Sequence, residues 1–149
     1  MTEGVQTTEF FPNVGKINYE GRESDHIYSY KFYDEDQVIG DKTMKEHLRF
    51  AVAYWHSFCN ESSDPFGSGT REFPWNKTSD PLDNAKYKLE AAFEFFTKLG
   101  VPYYCFHDVD IAPEGDSVAK SEKNLLEIVD MAKSYQKSTG VKLLWGTAN

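Results

Sequence analysis

Three apolar runs alternate with two amphipathic segments along most of this chain of 149 residues. Residues 48–55 are nearly continuous in apolar and β-forming side chains, and the runs 103–110 and 141–149 begin in the same way before ending in polar side chains. Residues 81–99 and about 118–139 repeat apolar side chains at steps of three and four, which is typical of helices with one buried face. The order strand, helix, strand, helix, strand predicts an α/β fold, a parallel βαβαβ unit with right-handed crossovers.

Capping residues mark the ends of both predicted helices. Asp80, followed by a proline at the first helical position, is a good N-cap, and Gly100 can adopt the left-handed conformation that ends a helix. Ser117 or Asp116 can cap the second helix, and Gly140 can end it. These signals define the helical bounds more sharply than periodicity alone.

Two regions do not follow the alternation. Residues 1–43 are rich in aromatic and charged side chains without a clear period, and we predict an N-terminal extension that wraps the surface of a unit formed by residues 44–149. Residues 56–79 form a predicted loop that is longer than compact domains usually contain. Such loops are typically functional or reach another subunit.

Ionisable side chains stand where the middle apolar run ends. His107 and Asp110 are three residues apart just past the predicted strand end, where parallel α/β sheets place their chemistry. A carboxylate on one ring nitrogen fixes the tautomer and raises the basicity of the other, so the pair predicts a proton-transferring histidine. A structural histidine bonded to its neighbours fits the spacing too. Asp108 and Asp110 also match a D-x-D metal motif of the kind that nucleotide-sugar transferases use, although no glycine-rich phosphate loop follows.

Aromatic side chains are predicted at the same rim. Trp55 and Trp145 end two different apolar runs, and tryptophans facing a pocket can stack on the C–H face of a sugar. Thr147 adds a hydroxyl near the end of the third run, and Phe66 is an aromatic residue at the tip of the long loop. Packing at the rim for the tryptophans, and pinning of its own loop for Phe66, are the alternatives.

Composition excludes some partners. A net charge of −8 and the absence of a Lys/Arg run oppose binding to nucleic acid. No apolar segment approaches the ~20 residues of a membrane helix, and the first eight residues contain no apolar signal segment. We therefore expect a soluble, cytoplasmic protein whose two cysteines are free thiols.

Five ordered motifs together resemble xylose isomerase, in its longer class with an N-terminal extension. They are residues 9–12 (EFFP), 47–56 (HLRFAVAYWH), 64–67 (DPFG), 106–115 (FHDVDIAPEG) and 145–149 (WGTAN). The resemblance runs from about residue 9 to residue 149. It implies that the βαβαβ unit corresponds to the first three strands of a TIM (β/α)₈ barrel, incomplete here.

The resemblance also implies a chemistry and a set of roles. The family isomerises aldoses to ketoses, D-xylose to D-xylulose, by a hydride shift assisted by two divalent ions (Mg²⁺, Mn²⁺ or Co²⁺), usually as a tetramer. By similarity, the catalytic residues are His107, which assists ring opening, and Asp110, which orients it. Trp55, Trp145 and Thr147 would line the sugar pocket, and Phe66 would enter the pocket of a neighbouring subunit.

The family's metal ligands and pocket lysine lie on later strands, so no metal-binding residue is predicted in this chain. A truncated xylose isomerase that is inactive alone is the expectation. An assembly of fragments that rebuilds a barrel, and a non-catalytic sugar-binding or interaction module, are the alternatives. The resemblance implies a pentose or hexose as the ligand, and the open strand edges predict a homo-oligomer.

Overall fold

The computed structural model describes residues 9–148, and a three-stranded parallel sheet covered by two long helices forms its centre. Residues 1–8, the start of the predicted extension, and Asn149, the last residue of the third predicted run, lie outside the described residues. The elements in chain order are β1 (Val38–Ile39), β2 (Lys42–Thr43), α1 (Met44–His47), β3 (Ala51–Ala53), α2 (Tyr54–Phe58), α3 (Pro81–Leu99), β4 (Tyr103–His107), α4 (Asp108–Ile111), α5 (Val118–Thr139) and β5 (Lys142–Thr147).

The sheet has the order β3-β4-β5, with both pairs parallel. Ala51 lies opposite Tyr103 on one side of β4, and Thr147 lies opposite His107 on the other. Three strands leave the sheet open, so the predicted α/β unit, incomplete and without a closed barrel, is confirmed.

The two long helices have the predicted bounds because their capping residues act as expected. The Asp80 side chain accepts a hydrogen bond from the Leu82 amide at 2.8 Å, and Ser117 accepts one from the Lys120 amide at 3.3 Å. Gly100 and Gly140 both have φ near +77°, the left-handed conformation that other residues rarely adopt.

The first predicted strand is shorter than residues 48–55. Only Ala51–Ala53 is a strand, because the chain turns into α2 at Tyr54. Tyr54 and Phe58, four residues apart, are both buried and their rings lie 5.0 Å apart, so one helical turn places both against the core. The prediction that Trp55 ends a strand is therefore wrong, since Trp55 lies within α2.

The core lies between the sheet and the two long helices. Tyr104 of β4 is 1% exposed, stacks on Phe96 of α3 with ring centroids 5.2 Å apart, and accepts a hydrogen bond from Gln136 of α5 at 2.8 Å. Leu89 and Ile128, also fully buried, lie on α3 and α5. Both helices therefore hold the central strand.

The extension and the long loop are attached to α3 and α2. Glu94 accepts hydrogen bonds from the amides of Phe10 and Phe11 at 2.7 and 3.0 Å. In the loop, Phe73 and Trp75 are buried and stacked, and Trp75 also contacts Phe58. The predicted loop began at residue 56, but its first residues belong to α2. The division into two domains at residue 43 stays a prediction. Within residues 9–148, no helix is long and apolar enough to span a membrane.

Candidate active site

His107 and Asp110 meet at the carboxyl end of the central strand. His107 is the last residue of β4, and α4 begins at Asp108, so a single helical turn brings the two side chains together. The Asp110 Oδ2 atom lies 2.9 Å from His107 Nδ1 and accepts a hydrogen bond from the His107 backbone amide at 2.8 Å. The predicted meeting of these two side chains is what the structure shows.

The pair is well placed for proton transfer. The Asp110 side chain is 11% exposed, whereas the His107 side chain is 33% exposed and reaches solvent. An ionised carboxylate only accepts hydrogen bonds, so a neutral His107 paired with it carries its hydrogen on Nδ1. The Nε2 lone pair is then available to a proton donor outside the protein.

Two tryptophans flank the imidazole. The Trp55 and His107 ring centroids lie 4.6 Å apart, and the Trp55 and Trp145 centroids lie 5.4 Å apart. Trp145 meets His107 edge-on at 6.2 Å and is 42% exposed. Trp55 therefore lies at the predicted rim of the sheet, although the short helix α2 carries it there and not a strand.

Thr147 completes the group through strand register. It lies opposite His107 on β5, and residues directly opposite in neighbouring parallel strands share a face of the sheet. Gly146 precedes it, and a Cβ there would lie 3.3 Å from ring atoms of Phe106. The missing side chain thus lets β5 approach β4 closely at this end.

Phe66 is not part of this group. Its side chain is 97% exposed at the tip of the loop, where the Phe66 amide donates to Asp64 Oδ1 at 2.8 Å and Asp64 pairs with Gly67. It does not pack on its own loop, so pinning of that loop fails as an explanation. Its role, like the roles of the other site residues, stays a prediction.

Lys88, which was not predicted as a site residue, also contacts this group. Its ammonium donates a hydrogen bond of 2.6 Å to the backbone carbonyl of Asp110. The two residues are 22 positions apart, so no local motif joins them. A signal did exist, because Lys88 interrupts the apolar stripe formed by Ala85, Leu89 and Ala92 on the inner face of α3.

No group of three or more His, Cys, Asp or Glu side chains in residues 9–148 is placed to hold a metal ion. Hard divalent cations need several fixed oxygen ligands. The described residues therefore do not fit a divalent metal site, and this includes the D-x-D motif of Asp108 and Asp110.

Known proteins align with this chain over nearly all of its length. No family model matches this chain. The xylose isomerase of Xanthomonas oryzae pv. oryzae (strain MAFF 311018) is 60% identical over 145 residues, which is 97% of this chain and 33% of that protein. Xylose isomerase 1 of Xanthomonas axonopodis pv. citri is 59% identical over the same length. Xylose isomerase 2 of Xanthomonas campestris pv. campestris (strain 8004) is 59% identical, with 32% of its length covered.

The chain spans about a third of the length of these relatives. The alignment covers 145 of the 149 residues and so leaves only four of them outside it. The chain belongs to the xylose isomerase family, of which it represents an N-terminal portion.

Proposed function

We propose that this chain supplies the ring-opening part of an aldose–ketose isomerase site that acts on D-xylose. The observation that supports it most directly is the His107–Asp110 pair, in which the histidine side chain is one third exposed and lies beside two indole rings at the carboxyl end of a parallel sheet. Aromatic faces stack on sugar C–H groups, and a histidine with a fixed tautomer can move a sugar proton. Trp55, Trp145 and Thr147 form the sugar pocket in this proposal.

The chemistry assigned to His107 is a proton transfer. Opening a cyclic aldose breaks the bond between C1 and the ring oxygen, while the C1 hydroxyl loses a proton and the ring oxygen gains one. His107 Nε2 accepts the first proton and returns it, because Asp110 holds the other nitrogen as a donor. No electrons are exchanged in this step, so the pair needs no co-reactant.

The hydride shift that follows ring opening is not assigned to this chain. Xylose isomerases generally use divalent metals, but the described residues do not fit a metal site. The proposal is therefore that the chain binds the sugar and does not isomerise it alone. We also propose that Phe66 reaches the sugar pocket of a neighbouring copy, because its loop projects a bare aromatic side chain away from its own core.

A sugar titration tests the proposal. We expect D-xylose and the acyclic polyol xylitol to change the fluorescence of Trp55 and Trp145 and the NMR signals of His107. His107→Asn should remove the histidine signal and alter the response. His56→Asn is the matched control, because His56 also contacts the Trp55 ring, at 5.7 Å, but is exposed and lies outside the pair.

Metal binding and turnover separate the alternatives. Calorimetry with Mn²⁺ or Co²⁺ should show no pair of tight sites per chain, and no xylulose should form. Two tight sites together with ketose formation would mean that copies of the chain rebuild an active barrel. An absence of any sugar response at the tryptophans would refute the sugar pocket.

A further inference from the structure

One ammonium group contacts both short helices that carry site residues. Besides the Asp110 carbonyl, Lys88 Nζ lies 3.6 Å from the Cys59 sulfur and 5.7 Å from the centroid of the Tyr54 ring. Asp110 belongs to α4, Tyr54 precedes Trp55 in α2, and Cys59 caps the end of α2. Lys88 itself lies in the middle of α3, a helix with six buried residues.

The protonation states of the contacted groups favour this arrangement. Burial raises the pKa of the Cys59 thiol despite the opposing effect of Lys88, so the thiol stays protonated and donates to the Asp110 carbonyl at 3.5 Å. Burial also raises the pKa of the Tyr54 hydroxyl, so the ring stays neutral and offers its face to a cation. Two donors therefore converge on one carbonyl oxygen.

That carbonyl needs an external partner. Helix α4 has only four residues, and its last carbonyls have no partner inside the helix. A cation at a helix C-terminus is favourable, and a hydrogen bond from a charged donor is stronger than one between neutral groups. No carboxylate in the described part of the chain forms an ion pair with Lys88, and its shorter hydrogen bond is the one to the Asp110 carbonyl in α4.

We propose that Lys88 is a positioning residue for the His107–Asp110 pair. Its hydrogen bond fixes the peptide group that follows Asp110, and with it the direction in which the Asp110 carboxylate leaves the backbone. Through Tyr54 and Cys59 the same ammonium holds α2, and therefore Trp55, at a constant distance from the pair. The catalytic importance of this positioning rests on the proposed function, but the positioning itself does not.

The test measures the His107 tautomer in the full chain without sugar. Nitrogen-15 NMR distinguishes Nδ1–H from Nε2–H imidazole at a pH where the ring is neutral, and His107→Asn assigns the signal among the four histidines. In Lys88→Met we expect the minor Nε2–H population to rise by about threefold to tenfold, because a hydrogen bond to a charged group is lost. Lys88→Arg should restore the parent ratio.

Lys86→Met is the matched control. Lys86 lies two positions earlier on α3 and pairs with Glu127 at 2.6 Å, so its loss removes the same charge from the same helix. The His107 tautomer ratio should not change in this variant. An unchanged ratio in Lys88→Met, or an equal change in Lys86→Met, overturns the proposal.

A second measurement does not depend on whether a variant folds. In the unmodified chain, the Lys88 ammonium protons should exchange with water at least several-fold more slowly than those of Lys133, whose side chain is 70% exposed. Equal exchange rates would show that the Asp110 hydrogen bond is not formed, and would overturn the proposal. Failure of the sugar titration would instead refute the proposed function and leave these two results unaffected.

Discussion

Replacing Asp110 by asparagine tests how much the site contributes to the fold. In the native chain, one carboxylate oxygen accepts two hydrogen bonds from the same residue, His107, at 2.8 and 2.9 Å. Asparagine keeps the shape and can present an oxygen at the same place, but it carries no charge. The perturbation therefore removes the charge reinforcement of two hydrogen bonds without creating a cavity.

The magnitude follows from these two bonds. Hydrogen bonds to charged groups contribute about 1.5–3 kcal/mol and neutral ones about 0.5–1.5 kcal/mol, so each bond loses about 1 kcal/mol. The His107 ring is a third exposed and exchanges part of its bond with water, which lowers the total to about 1.5 kcal/mol. For a chain of this length that is a fall in Tm of about 3–6 °C.

Urea unfolding followed by far-ultraviolet circular dichroism, at two protein concentrations, measures this loss. Asp130→Asn is the control, because the Asp130 side chain is 79% exposed and its pair with Lys133 is long, at 3.5 Å. The control should change the free energy of unfolding by less than about 0.5 kcal/mol. If Asp110→Asn changes the free energy of unfolding no more than the control does, the charge of Asp110 contributes no net stability through these two hydrogen bonds.

Three further predictions concern turnover, acid and association. In any active assembly, His107→Asn should abolish turnover of cyclic xylose while weakening sugar binding less, and Asp110→Asn should be milder; wild-type rates in both would make the pair structural. Burial opposes ionisation of Glu94, but hydrogen bonds from Lys98 and from the amides of residues 10 and 11 outweigh it and lower its pKa below 4.5. The hydrogen bonds from the Phe10 and Phe11 amides to Glu94 should therefore be intact above pH 4.5 and be lost as the pH falls through the pKa of Glu94 in the folded chain. Amide exchange at Phe10 would measure this loss, and Glu94→Gln should remove the pH dependence. The chain should self-associate through its open sheet edges, and Leu144→Lys on β5, where every residue is exposed, should shift sedimentation toward the monomer; an unchanged distribution would exclude that edge.

The sequence predicts best where a local rule decides the structure. The bounds of α3 and α5 follow from Asp80, Gly100 and their counterparts, because caps act within one turn of the backbone. The meeting of His107 and Asp110 likewise follows from a spacing of three residues at a strand end.

Longer-range features could not be predicted in this way. Helix α2 replaces the end of a predicted strand because burial of Tyr54 and Phe58 against α3 outweighs the β-propensity of the run. The contact of Lys88 with Asp110 depends on how α3 crosses the end of β4, which no pattern within either segment encodes. Tertiary packing decides both.

Central strand β4 links the core to the site through its alternating side chains. Tyr104 faces the helices, where Phe96 and Gln136 hold it, while His107 lies three positions later on the opposite face. Because side chains alternate with a period of two, a slip of β4 by one residue would turn His107 toward the helices and Tyr104 away from them. The aromatic contacts of Tyr104 oppose that slip. The packing of the two long helices therefore determines the face of the sheet on which His107 lies. A substitution that weakens the contacts of Tyr104 with α3 and α5 should disturb the His107–Asp110 pair, although the substituted residue does not contact that pair.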